Sequence, residues 1–150
     1  WVEASRTIGD VRRFAQFARA RFQSHAGFDF AIRDAGVLVG SIGLHDVDWG
    51  SRSAQIGYWI APDARGRGIV SRACAALVTY GFKQLELNRI EICCVVENAR
   101  SRAIPERLGF RFEGILAEAY LLHGIFRDIA LYATTARMWR LNEPAEVPAP

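Results

Sequence analysis

Lysine is nearly absent from this chain: Lys83 is the only one among 19 basic residues, so arginine carries the net charge of +3. Those arginines are scattered among 16 acids with no run of five or six, so the charge pattern does not demand a nucleic-acid surface. They read as solvated faces plus an anion site. No apolar run reaches the ~18 residues that a membrane span requires, and no signal peptide opens the chain. A soluble, cytoplasmic protein without a membrane partner is therefore the expectation. Cysteine is scarce as well. Cys74, Cys93 and Cys94 are odd in number and lack metal-ligand spacing, which argues against a disulfide framework and a bound metal. Adjacent residues of a strand point to opposite faces, so Cys93 and Cys94 are poor partners for each other. All three read as core thiols in a reducing compartment. The first residue is Trp1 and not Met, the mark of a fragment or a trimmed chain.

What remains suffices for one domain: 150 residues, 51% hydrophobic, can bury a real core. Residues Arg6 to Phe22 place Ile8, Val11, Phe14 or Ala15, Ala18 and Phe22 at three- and four-residue spacing, which predicts an amphipathic helix with its Phe face on a sheet. Phe28 to Ile32 and Val37 to Leu44 predict paired strands around the turn Asp34-Ala35-Gly36. Gly40 and Gly43 loosen the second strand, as a bulge would. His45 to Gly50 reads as a polar turn, and Ser53 to Ile60 as a third strand of the meander. A helix from about Ile69 to Leu85 then crosses over to a buried strand, Arg89 to Val96, parallel to the third. Gly81 inside that helix signals a close packing contact or an early fray. Asn98 caps a further helix, in which Pro105 forfeits a backbone hydrogen bond. Glu113 to Tyr132 reads as a long hairpin around Gly124, and the chain closes in a disordered tail. The result is an α/β sheet with mixed pairing.

The chemistry concentrates between Ile56 and Ala73. Pro62-Asp63 stops the third strand. Gly66 and Gly68 let the backbone turn tightly, and the following helix aims its unpaired N–H groups and positive dipole end at that loop. Arg65 and Arg67 add charge there, which suits a pyrophosphate better than a lone carboxylate.

The run Arg65-Gly66-Arg67-Gly68-Ile69-Val70 resembles the GNAT acetyltransferase signature Gln/Arg-x-x-Gly-x-Gly/Ala, with Val70 in place of the final Gly or Ala. A second block, Asn98 to Phe110 followed by Glu113-Gly114 and Asp128 to Tyr132, resembles the RimJ/RimL-type branch, which acetylates protein N-termini and related amines. The resemblance runs from about Trp1 to Trp139. It implies the GNAT fold (α+β): a central, mostly antiparallel sheet with a V-shaped splay between its two central strands and helices on both faces. It also implies that a first strand and helix are missing, so that residues 1–140 form an N-terminally truncated acetyltransferase domain and 141–150 the tail.

The resemblance implies acetyl-CoA as co-substrate, with no metal, held by Trp59, Ile60, Arg65, Gly66, Arg67, Gly68, Ile69, Val70, Asn98, Ser101 and Arg107. The acceptor it implies is a primary amine, of a protein N-terminus or a small molecule, with the helix from Arg6 to Phe22 flanking its site as the alternative to packing on the sheet. Relatives carry a Tyr just before Glu106 as the acid for the departing thiolate; here Pro105 stands there, which leaves Ser101. Carboxylates that relatives carry are replaced by Gln55 and Tyr120, so the base is open among Glu118, Asp46 and His45, with Glu118 the catalytic candidate beside Ser101. An acyl-CoA-binding regulatory domain without turnover is the alternative, and a basic nucleic-acid module a third reading. Oligomeric state stays open, with a homodimer among the partners considered.

Overall fold

The helix expected from Arg6 starts at Ile8, because a cap decides where it begins. In the computed structural model, which describes residues 7–142, the Thr7 side chain accepts a hydrogen bond from the Asp10 N–H at 3.2 Å while the Asp10 carboxylate accepts from the Thr7 N–H at 2.9 Å. This reciprocal capping box opens α1, Ile8–Gln23. Three strands follow, β1 (Phe28–Asp34), β2 (Val37–Asp48) and β3 (Ser53–Ile60), and then helix α2 (Ile69–Lys83) after a short 3-10 turn at Pro62–Ala64. Strand β4 (Arg89–Val95), helix α3 (Ala99–Arg107), the hairpin β5 (Arg111–Leu122) and β6 (Ile125–Thr135), and helix α4 (Ala136–Asn142) complete the order. Residues 1–6 and 143–150, which hold most of the expected tail, lie outside the described residues.

The six strands form one sheet in the order β1-β2-β3-β4-β6-β5, antiparallel throughout except between β3 and β4. The α2 crossover makes that central pair parallel, and the pair is short. Only Ser53–Gln55 register with Arg89–Glu91, after which β3 and β4 part. The expected splay between two central strands is therefore present.

The core lies between the sheet and α2. Leu44, Val78, Cys74 and Ile90 are fully buried, and Ile92 and Tyr132 nearly so. A Cβ on Gly81 would sit 2.8 Å from the Ile90 side chain, so this helical glycine marks close packing and not a fray. Tyr132 donates to the Glu106 carboxylate at 2.6 Å and accepts from the Arg102 guanidinium at 3.0 Å, which pins α3 to the sheet. Trp139 of α4 packs on Phe110 and donates to the Thr79 hydroxyl at 3.0 Å.

Two expectations need correction. His45 to Asp48 is strand and not turn; β2 continues to Asp48, because pairing with β3 outweighs the turn preference of these polar residues. The reversal comes after it, where the Asp48 carboxylate accepts from the N–H groups of Gly50 and Ser51. In addition, α1 lays its Phe face on the sheet only in part: Phe22 packs edge-to-face on Phe28 of β1 at 5.5 Å, while Phe17 is 60% exposed.

Arg89 bridges β4 and β5, bonding Glu91 at 2.8 Å and Glu113 at 2.5 and 3.1 Å. That guanidinium holds the Glu113 carboxyl below its ordinary value. A carboxyl lowered in the folded state stabilises the fold above its unfolded value, and the contribution is lost as pH falls through the folded one. Melting temperature should consequently drop on acidification below about pH 4 more in wild type than in Glu113→Gln, as followed by circular dichroism.

Candidate active site

The parting of β3 from β4 creates the site. Ala61 donates its N–H to the Val39 carbonyl of β2 at 2.8 Å. Strand alternation therefore aims the N–H groups of Tyr58 and Ile60 the other way, toward β4. The β3–β4 pairing has already ended at Gln55, so these two donors face the gap.

One end of the gap meets the start of α2. Gly66 and Gly68 have φ of 74° and 69°, the left-handed region that other residues enter at a cost. Gly68 is the N-cap of α2, and no side chain caps the first turn, so its leading N–H groups point into the loop mouth. Arg67 pairs with Asp34 of the β1–β2 hairpin at 2.7 Å. Arg107 reaches across from α3 to donate to the Ser71 hydroxyl at 3.1 Å, which brings a second-block arginine to the first turn of α2. Ile69 and Val70 are buried in the core. The departure from the motif at Val70 thus leaves the loop mouth unobstructed, since the branched side chain points into the protein.

Behind the loop, α3 approaches the gap. Asn98 caps this helix, its side-chain oxygen accepting from the Ser101 N–H at 3.1 Å. The Ser101 hydroxyl is therefore not the cap. It donates to the Tyr58 hydroxyl at 3.2 Å and lies 3.4 Å from the Cys94 sulfur. Tyr58 in turn donates to the Ser101 carbonyl at 3.0 Å. Pro105 accounts for that last contact: it lacks the N–H that would have bonded the carbonyl four residues earlier, and Tyr58 takes the place. Burial, followed by the neighbouring Cys94, pushes the Tyr58 phenol far above its ordinary value and keeps it protonated. Burial likewise pushes Cys74 up to about 12 and Cys93 up to about 11, so both remain thiols.

On the opposite side of the sheet from α2, the gap opens into a cavity of about 730 Å³. Its apolar wall includes Phe14 and Phe17 of α1, Leu116, Tyr120 and Ile129; Ser101, Tyr58 and Cys93 reach it from the gap. Gln55 and Tyr120, where the resemblance leads one to expect carboxylates, do line it. So do His45 and Asp46, whereas Glu118 does not. Glu118 sits in the irregular stretch of β5 between Leu116 and Tyr120, with φ of 50° and its N–H bonded to the Asp128 carboxylate at 2.8 Å. Ile60 borders the gap through its backbone N–H, whereas the Trp59 N–H, like that of Ala61, faces β2; neither residue is part of the cavity lining. The contribution of Tyr58 escaped sequence reasoning. The available signal was the missing N–H of Pro105.

The Acetyltransferase (GNAT) domain family matches residues 1–111. YdaF of Bacillus subtilis (strain 168), a provisionally named ribosomal N-acetyltransferase, is 41% identical over 81% of this chain, which spans 66% of that relative's length. The ribosomal-protein-serine acetyltransferase of Escherichia coli (strain K12) is 32% identical over 89% of the chain and 74% of its own length. Among solved structures, Mycobacterium smegmatis RimJ in complex with CoA-disulfide superimposes with a TM-score of 0.87 at 33% identity, covering 94% of this chain and 67% of RimJ. The uncapped start of α2, the glycine loop and the parted central strands thus sit in a chain that belongs to the GNAT acetyltransferase family, beside its RimJ- and RimL-like members.

Proposed function

We propose that the protein is an acetyl-CoA-dependent N-acetyltransferase that moves the acetyl group directly to a primary amine. The observation that carries this reading is the position of the uncapped α2 N-terminus, with Gly66 and Gly68 at positive φ, at one end of a gap that leads into a 730 Å³ cavity. An anionic cofactor tail suits the first feature and an acceptor the second. Two neighbours support the ligand: RimJ holds CoA-disulfide, and the microcin C7 self-immunity protein MccE is a complex with acetyl-CoA and AMP.

Each residue has a role in this reading. The loop amides, with Arg65, Arg67 and Arg107 around them, hold the pyrophosphate and phosphate charge. The Ile60 N–H, aimed into the gap, stabilises negative charge on the thioester oxygen as it develops. The bound thioester supplies the acyl carbon, whose bond to sulfur breaks as its bond to nitrogen forms. Ser101 can turn its hydroxyl hydrogen from Tyr58 toward the departing sulfur, and Tyr58 keeps the serine in place. The acceptor is an amine of a protein N-terminus or a small molecule; relatives are named for ribosomal proteins and for spermidine.

Thiol release from acetyl-CoA, followed with spermidine and with a peptide bearing an N-terminal serine, tests the reading. Turnover with either supports it. Calorimetric binding of acetyl-CoA without any turnover would favour a binding domain instead. With Ser101→Ala we expect kcat to fall about tenfold with acetyl-CoA affinity nearly unchanged. Equal losses in both would reduce Ser101 to a ligand contact.

A further inference from the structure

The cavity contains a pair of groups whose arrangement depends on an irregularity in β2. Adjacent residues of a regular strand face opposite sides, yet His45 and Asp46 both line the cavity. The register between β2 and β3 slips between His45 and Asp48, and Asp46 takes φ of 50°. This bulge re-aims the carboxylate, so that Asp46 Oδ2 lies 3.3 Å from His45 Nδ1. With Nδ1–H given to that carboxylate, the lone pair of the neutral ring is on Nε2. Nε2 lies over Gly57, where a built Cβ would come within 2.4 Å of it. Gly57 is itself a lining residue, so the ring nitrogen occupies the cavity wall because that position has no side chain.

We propose that His45, positioned by Asp46, is the base that takes the ammonium proton of the acceptor amine. The inference rests on the acetyltransferase reading above and goes beyond it in choosing among His45, Asp46 and Glu118. Glu118 lies outside the cavity, and the other lining carboxylate, Asp29, is engaged by Arg21 at 3.3 Å. In the reaction the acceptor's ammonium gives one proton to Nε2 and becomes a neutral amine. Its lone pair forms the C–N bond, the C–S pair leaves on sulfur, and the nitrogen's second proton balances the one gained by the thiolate. Nε2 then releases its proton to solvent, so the cycle yields amide, thiol and one proton. Besides Asp46, the titratable or charged groups facing this cavity are Arg21 from α1, Asp29 from β1, Tyr58 from β3, Cys93 from β4 and Tyr120 from β5.

The test compares wild type, His45→Gln, Asp46→Asn and Gly57→Ala with acetyl-CoA and the same two acceptors, spermidine and the N-terminal serine peptide. His45→Gln should lower kcat/KM about tenfold near neutral pH and flatten the acid side of its pH profile, with acetyl-CoA affinity unchanged. Asp46→Asn should lower kcat and leave the KM for acetyl-CoA as it was. Gly57→Ala keeps both residues but pushes the ring aside, and should lose activity to a similar degree while retaining its melting temperature. Wild-type rates and pH profile in His45→Gln would overturn the base assignment and leave the acetyltransferase reading standing. A wild type that binds acetyl-CoA and acetylates neither acceptor would overturn both.

Discussion

Gly68→Val should weaken acetyl-CoA binding by about a hundredfold in a calorimetric titration, with the fold intact. Space is not the obstacle, since a Cβ at this position would meet only the far end of the Arg72 side chain, at 3.3 Å. Conformation is. At φ of 69° a non-glycine residue costs about 1–2 kcal/mol, and a β-branched one lies at the upper end. If the loop relaxes to escape that cost, the α2 amides turn from the ligand and a charge-assisted hydrogen bond of about 1.5–3 kcal/mol is lost. That loss, up to roughly 3 kcal/mol, is about two decades in Kd. Unchanged affinity would mean that this loop does not hold the ligand.

Gly40→Ala should be the most destabilising single-methyl change in the sheet, at about 3 kcal/mol, a drop of about 10 °C in melting temperature. The added Cβ would lie 2.4 Å from the Trp59 carbonyl oxygen and 3.2 Å from the Ile60 Cα. Both are backbone atoms of the paired strand and cannot swing aside as a side chain could. The strands must separate where Gly40 registers with Ile60. Because Ile60 also supplies the N–H aimed into the gap, activity should fall further than the loss of folded protein explains. Gly36→Ala is the control. It lies at positive φ in the β1–β2 turn with nothing within 4 Å of a built Cβ, and should cost only about 1 kcal/mol. Equal melting temperatures for the two variants would sink the argument from close approach.

The sheet was legible where local chemistry and long-range pairing agree. The limits of β3, Ser53–Ile60, follow from its apolar alternation and from Pro62, and the structure returns the same limits. The crossover helix and the parallel central pair follow from the same stretch. His45 to Asp48 misled because a polar run reads as a turn; only its pairing with β3, set by tertiary contacts, keeps it a strand. The face of α1 was legible in part. Its three- and four-residue apolar spacing is correct, and Phe22 meets Phe28 of the sheet, but Phe14 and Phe17 line the cavity.

At the site, the glycine loop was legible because its chemistry is contiguous. The Tyr58–Ser101 hydrogen bonds join residues 43 positions apart and could not be read from spacing. The bulges that carry Asp46 into the cavity and leave Glu118 out of it have no sequence signature here; each rests on a polar residue held at positive φ by its neighbours.

The three registered pairs between β3 and β4 leave a seam in the middle of the sheet. On one side of that seam β1, β2 and β3 are joined by consecutive hairpins; on the other, β4, β5 and β6 form a second ladder of their own. The middle of the sheet, ordinarily its most protected part, should here exchange its amide hydrogens sooner at Tyr58 and Ile60 than at the antiparallel pairs on either side. A ligand lodged along the seam would supply contacts there that the β3–β4 ladder lacks, and so raise the melting temperature.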